Sequence, residues 1–143
     1  MLLEKALEGA ASQGAETELY HLYDLEFKGC ISCFSCKTIG DKSYGRCAVK
    51  DGITPILKKV EEVDAIILGS PIYFLNVTGE MRCFMERLFF PYLKYTDPPT
   101  SLFPNKIRTG LIYTMNLTEE VMKEYGYDQQ LISLEYILIM LNS

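Results

Sequence analysis

Residues Ala65-Ile66-Ile67-Leu68-Gly69 form an unbroken apolar run between Asp64 and Ser70. A strand with one wet face alternates apolar and polar residues, whereas a run without alternation suits a strand covered on both faces, as in a parallel sheet. Parallel neighbours need long crossovers, usually helical, and the flanking sequence supplies them. Downstream, Thr78 is placed to cap a helix running to about Phe90, with Met81, Phe84, Met85 and Leu88 on one face and Pro91 as its stop. Pro98, Pro99 and Pro104 mark a loop, Thr109 to Tyr113 a further strand, Leu117 to Tyr125 a helix, and Leu131 to Leu141 a last helix with Leu134, Ile137, Leu138 and Leu141 in helical register. Upstream, Ile53, Ile56, Leu57 and Val60 predict a short helix. Leu2, Leu3, Ala6, Leu7 and Ala10 predict another, stopped by Gly14, and Glu16 to Leu25 reads as a strand through Thr17, Tyr20 and Tyr23. The expected order is α-β-loop-α-β-α-β-α-α, an α/β fold with a parallel sheet between helices.

With 143 residues the chain is one domain, 1–143, with a cysteine-rich loop over 26–51 inserted in it. Fourteen Lys and Arg stand against nineteen Asp and Glu, a net charge of −5 with no basic cluster, so no nucleic-acid surface is expected. No apolar run approaches the roughly 20 residues that span a bilayer, so no membrane partner is expected either. One histidine, His21, rules out multi-histidine metal sites and argues against Ser-His-Asp chemistry; set in a strand away from the candidate sites, it reads as structural. Five cysteines without an export signal point to reduced thiols and a cytoplasmic location.

In open α/β sheets ligands bind outside the carboxyl ends of the strands, which directs attention to 25–36, 70–79 and 113–117. Ser70 to Gly79 leaves a buried strand along a path bent by Pro71, carrying Tyr73 and Phe74. Flat aromatic faces and backbone donors suit a planar redox cofactor, and an ordinary strand-to-helix turn is the alternative. For Thr114 and Asn116 the choice is between a ligand contact and a plain helix cap. Cys30, Cys33 and Cys36 recur every third residue, and Cys47 follows after ten more. Three readings stand for these four: a [4Fe–4S] cluster, zinc, or free thiols. Cys83, mid-helix, reads as a packing residue.

The stretch Lys28-Gly29-Cys30-Ile31-Ser32-Cys33-Phe34-Ser35-Cys36 with Gly45-Arg46-Cys47-Ala48-Val49-Lys50-Asp51 resembles the cysteine loop of NAD(P)H-dependent FMN reductase-like flavoproteins and of the related iron–sulfur flavoproteins. Gly69 to Met81 resembles their flavin loop, and Gly110-Leu111-Ile112-Tyr113-Thr114-Met115-Asn116 is a third match in order. The resemblance implies a flavodoxin-like three-layer α/β/α sandwich, usually five parallel strands in the order 2-1-3-4-5. On that template the chain opens at the first helix and stops before the fifth strand, so the sandwich is expected to be truncated at both ends, lacking the first strand with its phosphate loop and the last strand. The resemblance also implies FMN bound by Ser70, Pro71, Ile72, Tyr73, Phe74, Thr78, Thr114, Met115 and Asn116, and NAD(P)H as electron donor. The activity expected is an FMN-dependent oxidoreductase passing electrons to a small-molecule or protein acceptor, without an assigned catalytic acid or base. Cys30, Cys33, Cys36 and Cys47 are the candidate cluster ligands, although the family's fourth cysteine follows its third more closely. A homodimer or larger homo-oligomer is expected. The alternatives are an iron–sulfur flavoprotein carrying electrons between proteins, or a relative that has lost FMN and only oligomerises.

Overall fold

The computed structural model describes residues 1–142. Helix α1 (Leu2–Ser12) leads to an extended segment, then the cysteine loop, α2 (Thr54–Lys59), β1 (Ala65–Tyr73), β2 (Asn76–Val77) and α3 (Gly79–Tyr92). The short strands β3 (Leu93–Lys94) and β4 (Thr100–Ser101), then β5 (Arg108–Thr114), α4 (Glu119–Glu124) and α5 (Tyr127–Asn142), complete it. The apolar run does become a parallel strand. β1 pairs with β5 from Ala65↔Arg108 to Pro71↔Thr114, four residues beyond Gly69 belong to it, and its tip folds back on β2 through Ile72↔Val77.

Alternation along β1 assigns the layers. Leu68 and Ser70 are buried, and Leu68 belongs to a core with Met81, Phe84, Leu88, Leu134 and Leu138 from α3 and α5. Gly69 faces the other way, toward α1, and a Cβ there would stand 2.5 Å from Leu3 Cδ1. A side chain at 69 would force Leu3 to shift, so glycine lets α1 lie this close to the sheet with Leu3 in place. The result is the mixed α/β arrangement of a flavodoxin-like fold, helices on both faces of a mostly parallel sheet.

Five expectations change. The run at 65–69 is not covered on both faces: Leu68 is buried on the side of α3 and α5, while Ala65 and Ile67 on the other side stay exposed. Glu16 to Leu25 is not a paired strand; it runs extended and turns through a 3₁₀ segment at Leu22–Asp24. Its β-type residues meet no neighbouring strand edge, and a strand without a ladder partner leaves its amides to water. Among the described residues the parallel ladder consequently has two strands, not three, and the edge of β1 away from β5 is unpaired from Ala65 to Pro71. Pro91 lies inside α3, which ends one residue later, with Lys37 Nζ donating to the carbonyls of Phe90, Pro91 and Leu93. The proline loop contains the β3–β4 ladder, Leu93↔Ser101 and Lys94↔Thr100. α1, α2, α4 and α5 lie within a few residues of their predicted bounds.

Candidate functional site

Parallel pairing brings the carboxyl ends of β1 and β5 side by side. Pro71 is in register with Thr114, so the loop after each strand begins at the same level. Ser70 Oγ, buried, donates to the Pro71 carbonyl at 2.8 Å and accepts from the Thr78 amide at 3.1 Å. Thr78 Oγ1 accepts from Met81 N at 3.4 Å, the N-cap that starts α3. Both ends of the 70–78 loop are thus tied to one another through a serine and a threonine. Between them the chain is bent hard: Phe74 and Leu75 have φ of 50° and 65°. Two consecutive non-glycine residues in left-handed backbone are costly, about 1–3 kcal/mol each, and such strain persists where the surroundings impose it, often at ligand sites. The bend leaves Tyr73 exposed and Phe74 with no cover.

The loop adjoins a cleft of about 420 Å³ whose walls come from Gly69, Thr78 and Met81 on one side and Tyr20–Asp24 on the other, with Met1 at the N-terminus of α1. That volume lies in the range of small-ligand pockets. The Glu80 carboxylate raises the pKa of the Tyr23 hydroxyl.

Of the nine predicted flavin contacts, Ser70, Pro71 and Thr78 gather with Thr114 at the strand ends, Asn116 is exposed just beyond, and Tyr73 and Phe74 project from the tip. Ile72 and Met115 are half-buried and turn into the core. Thr78 is the one of the nine that lines the cleft. His21, read from sequence as structural and remote, is exposed and lines it too. The signal that could have placed Tyr20–Asp24 there is the extended segment's position just after α1, opposite β1. Tyr113, in register with Ser70, has a buried hydroxyl without a hydrogen-bond partner, and burial pushes its pKa up to about 12.

The cysteine loop is fastened to α3 at both feet. At the first, a Cβ on Gly29 would lie 3.0 Å from Cys83 Sγ, and the Cys30 amide donates to Glu86 Oε2 at 3.4 Å. At the second, Arg87, 1% exposed, pairs with Asp51 and reaches Cys47. Burial opposes ionisation of Asp51, but the guanidinium outweighs it and holds the carboxyl below its ordinary range. Lys37 lies over the rings of Phe90, at 4.5 Å, and Tyr95, at 5.5 Å. Burial lowers its pKa. Cys30 and Cys33 are exposed, Cys36 is buried and Cys47 half-buried. Burial pushes the Cys36 thiol up, and the nearby Cys33, Cys30 and Cys47 add to the shift. The soft sulfurs of these thiols are the right chemistry for an iron–sulfur cluster. Their placement does not fit one: among the described residues, no three His, Cys, Asp or Glu side chains converge so as to hold a metal ion.

A parallel sheet whose strand-end loops meet beside a cleft defines the flavodoxin-like class. The chain belongs to the NADPH-dependent FMN reductase family, whose model matches residues 1–135. It is similar to an iron–sulfur flavoprotein of Methanocaldococcus jannaschii, 41% identical over 87 residues, which is 61% of this chain and 42% of that protein. Two iron–sulfur flavoproteins of Archaeoglobus fulgidus are 41% identical over 86 residues (60% of this chain, 40% of the relative) and 35% over 99 residues (69% and 41%). The chain thus spans about two fifths of the length of the curated relatives it matches. No solved structure matches it. Among the described residues, no helix is long and apolar enough to cross a membrane.

Proposed function

We propose that the chain is an FMN-dependent oxidoreductase with NAD(P)H as electron donor. The observation that carries this reading is the left-handed pair Phe74–Leu75, which holds two uncovered aromatic residues at the carboxyl end of β1, beside the cleft. In this reading Tyr73 or Phe74 lies along the flavin ring, while Ser70 and Thr78 fix the loop whose backbone amides face its oxygens. Thr114 and Asn116 supply hydrogen bonds from the neighbouring strand end. The N-terminus of α1 brings the positive end of a helix dipole to the cleft, the polarity a phosphate needs. FMN, when bound, supplies the redox chemistry, and the chain contributes binding, orientation and exclusion of water. Ile132, Tyr136 and Ile139, exposed on α5 at helical spacing, support a homo-oligomer.

The test is a fluorescence titration of FMN into the purified chain, then anaerobic addition of NADPH or NADH. Quenching with a dissociation constant in the micromolar range or below, and bleaching of the flavin band by a nicotinamide, are expected. FMN that stays free at a hundred micromolar protein refutes the reading. A second reading, an electron carrier between proteins, draws on the relatives being named iron–sulfur flavoproteins. Bound FMN reduced by a reduced redox protein but not by either nicotinamide would favour it.

A further inference from the structure

Arg87 is the most thoroughly buried charged residue of the fold, and the flavin site makes no use of it. A guanidinium has five N–H donors in a rigid fork, and the pattern of their use is specific. Nη1 donates to the Lys28 carbonyl at 3.0 Å and to Asp51 Oδ2, and Nη2 donates to the Val49 carbonyl at 3.0 Å. Nε donates to Cys47 Sγ at 3.3 Å. One side chain therefore joins residue 28, where the loop leaves the extended segment, to residues 47, 49 and 51, where it returns. Cys47 enters as one acceptor among four in a closed network.

We infer that Cys47 is a strut of this Arg87 clamp, holding the returning arm of the loop to α3, and not a fourth thiolate in a metal centre with Cys30, Cys33 and Cys36. The clamp and an inward-turned Cys47 compete for the same sulfur orientation. Swinging Sγ toward the other thiols gives up the Nε bond and leaves a charged donor, without access to water, unpaired. The Val49 carbonyl and Asp51 carboxylate, two and four residues further on, are held by the same fork, so the backbone at 47 has little freedom to follow such a swing. On the other side, Gly45 N donates to the Cys36 carbonyl at 3.0 Å, pinning the backbone two residues before Cys47 as well. The ten residues separating Cys36 from Cys47 thus do not act as a loose tether able to deliver the last thiol.

This inference does not rest on the flavin reading, and its test separates the two. Wild type, C47S, C47A, R87K and the double variant R87K/C47A are purified anaerobically, exposed to ferrous iron and sulfide, desalted, and assayed for iron, FMN binding and melting temperature. C47S is expected to hold as much iron as wild type, whether that is a full complement or none. C47A is expected to lower the melting temperature by several degrees in the Arg87 chain and by much less in the R87K background, where an ammonium cannot reproduce the fork. Serine, which keeps an acceptor at 47, recovers part of the loss. A folded C47S that loses iron held by wild type overturns the inference, as does a C47A penalty of equal size in both backgrounds. If R87K does not fold, the iron comparison decides alone. FMN affinity reports on the flavin loop, so its absence from every sample refutes the flavin reading and leaves the strut standing.

Discussion

Replacing Arg87 by methionine leaves the stem's volume in place and removes the charge. Asp51, whose side chain is 18% exposed, then keeps a carboxylate with its cationic partner gone, and the Lys28 and Val49 carbonyls each lose a donor. Breaking a buried pair from one side costs about 3–5 kcal/mol, and orphaned carbonyls add to that where water cannot reach them. For a domain of this size the loss corresponds to a fall in melting temperature of about 10–15 °C. The pH dependence carries the sharper test. In the wild-type chain Asp51 titrates below its ordinary value, so its contribution is fully present above the unfolded-state pKa and disappears as pH falls through the folded one. In R87M the same carboxyl is buried without a cation and its pKa rises, so the penalty is full at neutral pH and relaxes as the group protonates. Melts by far-ultraviolet circular dichroism should therefore show the gap between the two chains narrowing from pH 7 toward about pH 4. A variant that melts within about 3 °C of wild type at neutral pH, or a gap that ignores pH, refutes the assignment of Arg87 and Asp51 as a stabilising buried pair.

Phe74→Gly relieves a left-handed φ and should raise stability by about 1 kcal/mol while weakening FMN binding; a melt and a titration on one preparation check both. Tyr73→Ala should weaken FMN about tenfold, measured by flavin quenching, if its ring lies on the cofactor. Thr78→Ala removes the cap of α3 and should cost about 1 kcal/mol in urea unfolding. Gly69→Ala should destabilise by about 1–3 kcal/mol through the clash with Leu3, and Leu3→Ala in the same chain should recover most of it; additive effects would mean that α1 does not press on the sheet at Gly69.

What the sequence revealed follows from how local each signal is. The run at 65–69 declared a parallel strand because its own residues carry that information, though not how well each face is covered, and Thr78 declared a helix start because capping is a contact over three residues. Glu16 to Leu25 misled for the opposite reason: β-propensity describes a residue's fit to a pleated surface, and only a neighbouring strand can supply that surface. The same limit hid the cleft, whose walls are segments some fifty residues apart, and with it the placement of His21. Of the predicted flavin contacts, the loop's span was legible but its inside and outside were not. Ile72 and Met115 turn inward, as strand alternation requires once the register is known. Arg87 was invisible as an anchor because a charged residue among Met85, Leu88 and Phe89 resembles a helix's wet face until its partners at 28, 47, 49 and 51 are in place.

The unpaired side of β1 also sets how the strand exchanges its protons with solvent. Amides along a strand point alternately to either side, so every second N–H between Ala65 and Ser70 is locked into the ladder with β5 and the ones between face the open edge. In deuterium oxide β1 should lose its protons in two populations interleaved residue by residue, slow and fast, and not as one protected block. Any molecule that lays a strand along that edge would announce itself by silencing the fast set alone.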